Sequence, residues 1–192
     1  YWQVYLHKTS VAYENMLVSA LLRAKELASK GVELFASPAL KFFLYNDINR
    51  ERFKTDPKCL ENFILLDDND IWTALKVWCN HNDIILATLS QGMVNREIFK
   101  VEVSPTPCTE ERLNAISERI AKQLHINKED TRYFISTPSI EKNMYNPADD
   151  SIDILYNDGS TTNIAEASDM LHLSVLSKKV KKYYICYLRE KK

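Results

Sequence analysis

The longest helical pattern of this chain is Trp2–Lys30, WQVYLHKTSVAYENMLVSALLRAKELASK. It contains no proline or glycine, and Gly31 follows it at the position where many helices end in a left-handed residue. Apolar side chains recur within it at steps of three and four residues, at Tyr13, Leu17, Ala20, Ala24 and Leu27. This spacing places them on one face of a helix. The sequence therefore predicts a long amphipathic helix over residues 2–30.

Helical patterns continue up to about residue 96. A dense apolar block, Leu40–Tyr45, follows Ser37 and Pro38, which are typical of a helix N-cap and a first helical position. Residues 70–80 and 83–96 carry further apolar stripes at helical spacing. The polar residues 47–58 predict a loop between them. The first half of the chain is thus predicted to be all helical.

The period changes to two at Ile98, where apolar and charged residues alternate as in a half-buried strand. A helix pattern from Thr109 to Leu124 follows. Further strands are predicted at 133–137, 151–156 and 183–188, with a short helix within 164–176. The order strand, helix, strand, strand, helix, strand is that of a ferredoxin-like sandwich. We therefore predict an α+β protein with an N-terminal helical region, 1–96, and a ferredoxin-like βαββαβ C-terminal lobe, 97–192.

Composition excludes several functional classes. The chain has 25 basic and 26 acidic residues and a net charge of -1, so no overall positive field favours nucleic acid. No apolar run approaches the roughly 20 residues of a membrane helix. The four cysteines form no CxxC pair, which favours reduced thiols in a cytoplasmic protein. Because the chain begins with Tyr1 and not with methionine, we expect it to be part of something longer.

Two groups of polar residues are candidate anion-binding sites. Tyr5, His7 and Lys8 combine a phenol, an imidazole and an ammonium, all of which can donate to phosphate. The commoner alternative is a helix start with a solvated lysine and a packed histidine. Arg96 and Lys100 lie four residues apart and would share a face if the preceding helix continued that far. They could clamp a phosphate or be ordinary solvated charges.

Complete catalytic motifs are absent from the sequence. The four histidines are far apart, and none begins an HExxH motif. Asp67, Asp68 and Asp70 lack the glycine and glutamate of a calcium loop and are typical of a helix N-cap. From its residues alone, the chain carries no full catalytic machinery.

The run VYLHKTSVAYENMLVSALLRAKEL, residues 4–27, resembles the helix that follows the metal site in HD-domain phosphohydrolases of the dNTP triphosphohydrolase branch. The resemblance continues through residues 66–75 and through NREIFK at 95–100, and more weakly through Asn146-Pro147 and YYICYL at 183–188. It is strongest to bacterial enzymes of the HD superfamily. The vertebrate SAM- and HD-domain dNTPase is a more distant relative.

The resemblance implies roles for the candidate residues. Tyr5 matches a tyrosine that contacts substrate in this family. His7 and Lys8 match a pair that lies near a regulatory nucleotide in the vertebrate enzyme. Arg96 and Lys100 match residues that contact the phosphate of that nucleotide. The resemblance therefore implies nucleotide or phosphate contacts at these five positions.

The His…His-Asp…Asp motif, which holds a divalent metal in HD enzymes, is missing here, and the family places it upstream of the first helix. The resemblance thus implies the C-terminal portion of a metal-dependent nucleotide phosphohydrolase, inactive alone. Its expected partners are an upstream HD catalytic domain of the same polypeptide, a nucleotide or other phosphate ester, and further copies in a homo-oligomer. The metal is expected in the full-length enzyme only. The alternative is a non-catalytic ligand-binding or dimerisation module.

Overall fold

The structure is a computed structural model that describes residues 7–142, 153–163 and 180–190. Its helices are α1 (Lys8–Ser29), α2 (Pro38–Tyr45), α3 (Arg50–Thr55), α4 (Pro57–Leu65), α5 (Asp68–Trp78), α6 (Ile84–Val94) and α7 (Glu110–Leu124), followed by a 3-10 helix, Lys128–Tyr133. Its strands are β1 (Lys100–Ser104), β2 (Ile135–Ser136), β3 (Ser139–Lys142), β4 (Asp153–Leu155), β5 (Thr161–Asn163) and β6 (Val180–Tyr187). No helix in these ranges is long and apolar enough to cross a membrane.

The described residues form two compact units. The first contains residues 7–102, 108–137 and 185–190, and the second contains 103–107, 138–142, 153–163 and 180–184. These units reflect packing within the chain. The division into domains at residues 96 and 97 stays a prediction.

The first helix begins later than predicted. His7 is extended, with φ -63° and ψ 142°, so α1 starts at Lys8 and not at Trp2. Its predicted end is confirmed, because Gly31 adopts φ +80° and its N–H donates to the carbonyl of Ala28 at 3.0 Å. The N–H of Val32 reaches back to the carbonyl of Leu27, also at 3.0 Å, which completes a Schellman motif.

Local capping residues set several other helix starts. The N-cap Ser37 accepts from the N–H of Leu40 at 3.3 Å, as the sequence predicts. Asp67 and Asp70 form a reciprocal capping box at the start of α5, so the acidic cluster is a cap. The prediction of a loop over residues 47–58 is wrong. Asn49 and Asp56 are N-caps there, and the two short helices α3 and α4 occupy most of that stretch.

The core of the first unit lies where α6 packs against α1 and α5. Small residues on α1, Ala20 and Ala24, are fully buried and let the neighbouring helices approach closely. A Cβ added to Gly92 of α6 would lie 2.8 Å from Met16 Cε, which shows how tight this contact is. Trp78 of α5 is buried as well, and its indole N–H donates to the carbonyl of Phe35 at 2.9 Å.

The strands confirm the α+β class but not the ferredoxin-like arrangement. In the larger sheet β6 lies between β1 and β2 and also pairs with β3. Its pairing with β2 and β3 is antiparallel. Within the described residues, β4 pairs with β5 in a separate hairpin and does not join that sheet. The turn of this hairpin is the predicted one, with Gly159 at φ +84°. The helix predicted within 164–176 and the connection through Asn146-Pro147 lie outside the described residues.

Candidate functional site

The first candidate group is only partly described. Tyr5 lies outside the described residues. His7 is the N-cap of α1, and its Nδ1 accepts from the N–H of Thr9 at 3.3 Å. Lys8 is the first helical residue, and both side chains are exposed. The imidazole therefore has a local structural role, while the ammonium of Lys8 faces solvent beside it.

Arg96 occupies a left-handed position at the end of α6. Its φ is +60°, and the N–H of Glu97 donates to the carbonyl of Gly92 at 2.8 Å, which is the Schellman geometry seen at Gly31. A residue with a Cβ costs about 1–2 kcal/mol in this conformation. The Arg96 side chain is exposed, and it makes no hydrogen bond or ion pair with the residues that the structure describes.

This ending decides whether Arg96 and Lys100 share a helical face, which required α6 to continue beyond residue 96. Because α6 ends at Val94 and β1 begins at Lys100, Arg96 and Lys100 do not share a helical face. The segment between them contacts a residue that lies far away in the sequence. The guanidinium of Arg189, which follows β6, donates from Nε to the carbonyl of Ile98 at 2.9 Å. A third cation thus lies beside the segment 96–100.

Lys100 is engaged with a carboxylate of its own strand. Its Nζ lies 3.0 Å from Glu102 Oε1 and 5.7 Å from the ring centre of Tyr187. The Tyr187 hydroxyl donates to the same oxygen at 2.5 Å, and Arg112 donates to Glu102 Oε2 at 2.6 Å. The hydrogen bonds from Tyr187, then Arg112 and Lys100, lower the pKa of Glu102 to about 2. Its carboxylate is therefore ionised throughout the neutral range.

Cations outnumber carboxylates on this surface. Arg119 of α7 stacks 5.8 Å from the ring centre of Tyr187 and donates to the carbonyl of Leu188 at 2.6 Å. Its Nε also lies 3.6 Å from the exposed carboxylate of Glu190. We call the following set the Tyr187 cluster: Lys100, Glu102, Arg112, Arg119, Tyr187, Arg189 and Glu190. It holds four cations against two carboxylates, so a further anion can be accommodated.

Sequence reasoning missed every member of the Tyr187 cluster except Lys100. Glu102 and Tyr187 are 85 positions apart, and no motif links them. The alternation around Glu102 predicts only that its side chain points away from the core. The pairing of β1 with β6 brings the two residues together.

A second ionic network is structural. Arg23 of α1 donates through Nε and Nη2 to both oxygens of Asp83, at 3.1 and 2.6 Å, at the start of α6. Glu26 accepts from Lys30 at 2.5 Å and from the hydroxyl of Tyr133 in the 3-10 helix. The hydrogen bonds from Lys30 and then Tyr133 lower the pKa of Glu26 to about 2. Because three separate elements meet here and the charges balance locally, we assign this network to fold stability.

The described residues do not form a metal site. No three or more of their histidine, cysteine, aspartate and glutamate side chains are grouped so as to hold an ion. Two members of the acidic cluster 67–70, Asp67 and Asp70, are occupied by the capping box of α5. The four cysteines are free thiols.

Comparison with known proteins finds a strong likeness to a solved structure and a weaker likeness to a curated protein. No family model matches the sequence. A crystal structure of a phosphohydrolase from Bacteroides thetaiotaomicron is 71% identical over 98% of this chain, with a TM-score of 0.92. An uncharacterised Bacillus subtilis protein, YwfO, is 29% identical over 106 residues, which are 55% of this chain.

Both of these proteins are much longer than this chain. The matched region is 47% of the phosphohydrolase chain and 22% of YwfO. The chain therefore has the fold of about half of a phosphohydrolase, and its sequence is closely similar to that half.

Proposed function

We propose that these residues form the C-terminal part of a metal-dependent HD-domain phosphohydrolase that acts on nucleotides. The observation that carries this proposal is the 71% identity to a phosphohydrolase over nearly the whole chain, at a TM-score of 0.92. This identity and TM-score support a shared backbone and a majority of shared side chains over the matched region. In this role the chain contributes surfaces for substrate, for nucleotide regulation and for a homo-oligomer.

The hydrolytic centre belongs to the other half of such an enzyme. A divalent metal in an HD site activates a water molecule for attack on phosphorus. The described residues do not fit such an ion, since none of their acidic or imidazole groups cluster suitably. An upstream HD catalytic domain of the same polypeptide would supply the metal, and Tyr5 would contact the substrate beside it.

The phosphate contacts proposed for this chain centre on residues 96–100. Arg96 supports this role, because its exposed guanidinium has no described partner and its backbone adopts φ +60°, a conformation in which glycine is less strained. Such a side chain is available for bidentate contact with phosphate. The ammonium of Lys100 would donate both to the anion and to Glu102, whose charge orients it. His7 and Lys8 are proposed as further contacts at the start of α1.

The test compares the natural full-length polypeptide that contains this chain with residues 1–192 alone. Release of phosphate or triphosphate from a panel of nucleoside triphosphates is measured with a divalent metal, after EDTA, and after the metal is restored. We expect hydrolysis by the full-length polypeptide that EDTA abolishes, and none by residues 1–192. A full-length polypeptide that neither binds nor hydrolyses any nucleotide tested would refute the proposal. Nucleotide binding without hydrolysis would favour the non-catalytic module.

A further inference from the structure

A pocket of about 430 Å³ lies between α1, α5 and α6 within the first unit. Its wall is mainly apolar and includes Leu17 of α1, Ile71 and Leu75 of α5, and Met93 of α6. Leu75 and Met93 are buried parts of the core, so the floor of the pocket is fixed by packing. The volume suits a small organic molecule. Leu17, which the sequence places on the apolar face of α1, and Ile71 are only half-buried and line this space.

Two carboxylates from different helices line the same pocket. Glu14 lies on α1, and Asp68 is the first residue of α5. Both are exposed, and neither makes a hydrogen bond or ion pair with any residue that the structure describes. An acidic residue at the first position of α5 is favourable for the helix by itself. Glu14 has no such role, because it lies in the second turn of a different helix.

Aromatic rings complete the lining. Tyr13 precedes Glu14 on α1, and Trp72 lies one turn after Asp68 on α5, with 40% of its surface exposed. The faces of tyrosine and tryptophan rings attract cations, tryptophan most strongly. The pocket thus combines an apolar wall, two aromatic rings and two carboxylates that no described residue pairs with. This chemistry repels phosphate groups.

We propose that this pocket binds an organic cation, namely an ammonium group attached to an apolar or aromatic body. The apolar part of the ligand packs against the wall formed by Leu17, Ile71 and Leu75. Its ammonium group lies near Glu14 and Asp68. The proposal does not rest on phosphohydrolase activity. Residues 96–100 are proposed to bind anions, whereas this pocket is proposed to bind a cation.

Three ligands with a common phenyl group test the charge preference: phenethylamine, phenethyl alcohol and phenylacetate. Affinities for the natural full-length polypeptide are measured by isothermal titration calorimetry, with Trp72 fluorescence as a second readout. We expect the amine to bind about fivefold more tightly than the alcohol, and phenylacetate to bind most weakly. Glu14→Gln and Asp68→Asn should each weaken amine binding about two- to fivefold and leave alcohol binding unchanged.

Glu61→Gln is the matched control, because Glu61 is an exposed glutamate on α4 that does not line the pocket. It should change none of the three affinities. Equal affinity for the three ligands, no binding of the amine at millimolar concentration, or an equal effect of Glu61→Gln and Glu14→Gln would each overturn the proposal. Glu14→Gln alters an exposed side chain without described contacts, so folding should be retained in the decisive variant.

Discussion

Replacing Arg96 with glycine should stabilise the protein and weaken its binding of nucleotides. Arg96 holds φ +60° at the end of α6, where the backbone forms the same hydrogen-bonded motif that Gly31 completes at φ +80°. Its exposed side chain has no hydrogen bond or ion pair with the described residues, so its removal loses no such contact there. Stability and function are therefore expected to change in opposite directions at this residue.

The magnitude follows from two opposing terms. Glycine relieves a left-handed strain of about 1–2 kcal/mol. It also has more freedom in the unfolded chain, which costs about 0.5–1 kcal/mol. We expect a net gain of about 0.5–1 kcal/mol in the free energy of unfolding, and a rise of about 1–4 °C in Tm for a chain of this size. Loss of one phosphate-binding guanidinium should weaken nucleotide binding by about 1.5–3 kcal/mol.

His125→Gly is the matched control. His125 ends α7 at φ +53°, and the N–H of Ile126 donates to the carbonyl of Ala121 at 3.1 Å. His125→Gly should raise Tm as Arg96→Gly does and leave nucleotide binding unchanged. Thermal denaturation and calorimetric titration of a nucleoside triphosphate into the full-length polypeptide measure both effects. A lower Tm for Arg96→Gly would refute the strain argument, and unchanged nucleotide affinity would refute the proposed role of Arg96.

Three further predictions concern the fold. Arg23→Met should lower the free energy of unfolding by about 2–3 kcal/mol in urea denaturation, because it removes the ion-pair partner of the largely buried Asp83 carboxylate. The control Arg50→Met, at an exposed site, should change the free energy of unfolding by less than about 0.5 kcal/mol. In the folded protein the pKa values of Glu26 and Glu102 are lowered from the usual 4.5 to about 2. These two carboxylates therefore stabilise the folded state fully above about pH 4.5, and this stabilisation is lost as the pH falls toward 2. Glu26→Gln should flatten this acid dependence by about 1 kcal/mol and Glu61→Gln should not, and equal slopes would contradict the network. Gly92→Ala should lower the free energy of unfolding by about 1 kcal/mol, although alanine has the better helix propensity. The added Cβ would lie 2.8 Å from Met16 Cε and 3.2 Å from the carbonyl oxygen of Glu97. A gain in stability would show that Met16 moves freely.

Local features of the fold could be predicted because their causes are local. The caps at Ser37 and Thr109, the acidic cap of α5 and the end of α1 at Gly31 each depend on residues within one turn. The short helix α3 was missed because its six residues are mainly charged and show no apolar stripe. The helix α4 does have apolar residues at helical spacing, Cys59 with Phe63 and Leu60 with Ile64, but it begins within the polar stretch 47–58, for which the sequence predicts a loop. The two helices are secured partly by the edge-to-face contact of Phe53 with Phe63 at 5.7 Å, which no local pattern reveals.

The candidate site was predictable only where a motif carried it. Arg96 and Lys100 came from NREIFK, and the shared helical face that was conditional on a longer helix does not form, because α6 ends at Val94. Apart from Glu102 of the same strand, the residues around Lys100 lie on α7, on β6 and just after β6, about 10 to 90 positions further along the chain. Such contacts depend on strand pairing, and hydrophobic periodicity does not encode which distant side chains meet.

The most direct test of the account is the hydrolysis of nucleoside triphosphates by the natural full-length polypeptide before and after EDTA. The account predicts product release that stops with EDTA, returns when a divalent metal is restored, and is absent for residues 1–192 alone. Hydrolysis by residues 1–192, or a full-length polypeptide that hydrolyses no nucleotide with metal present, would contradict it.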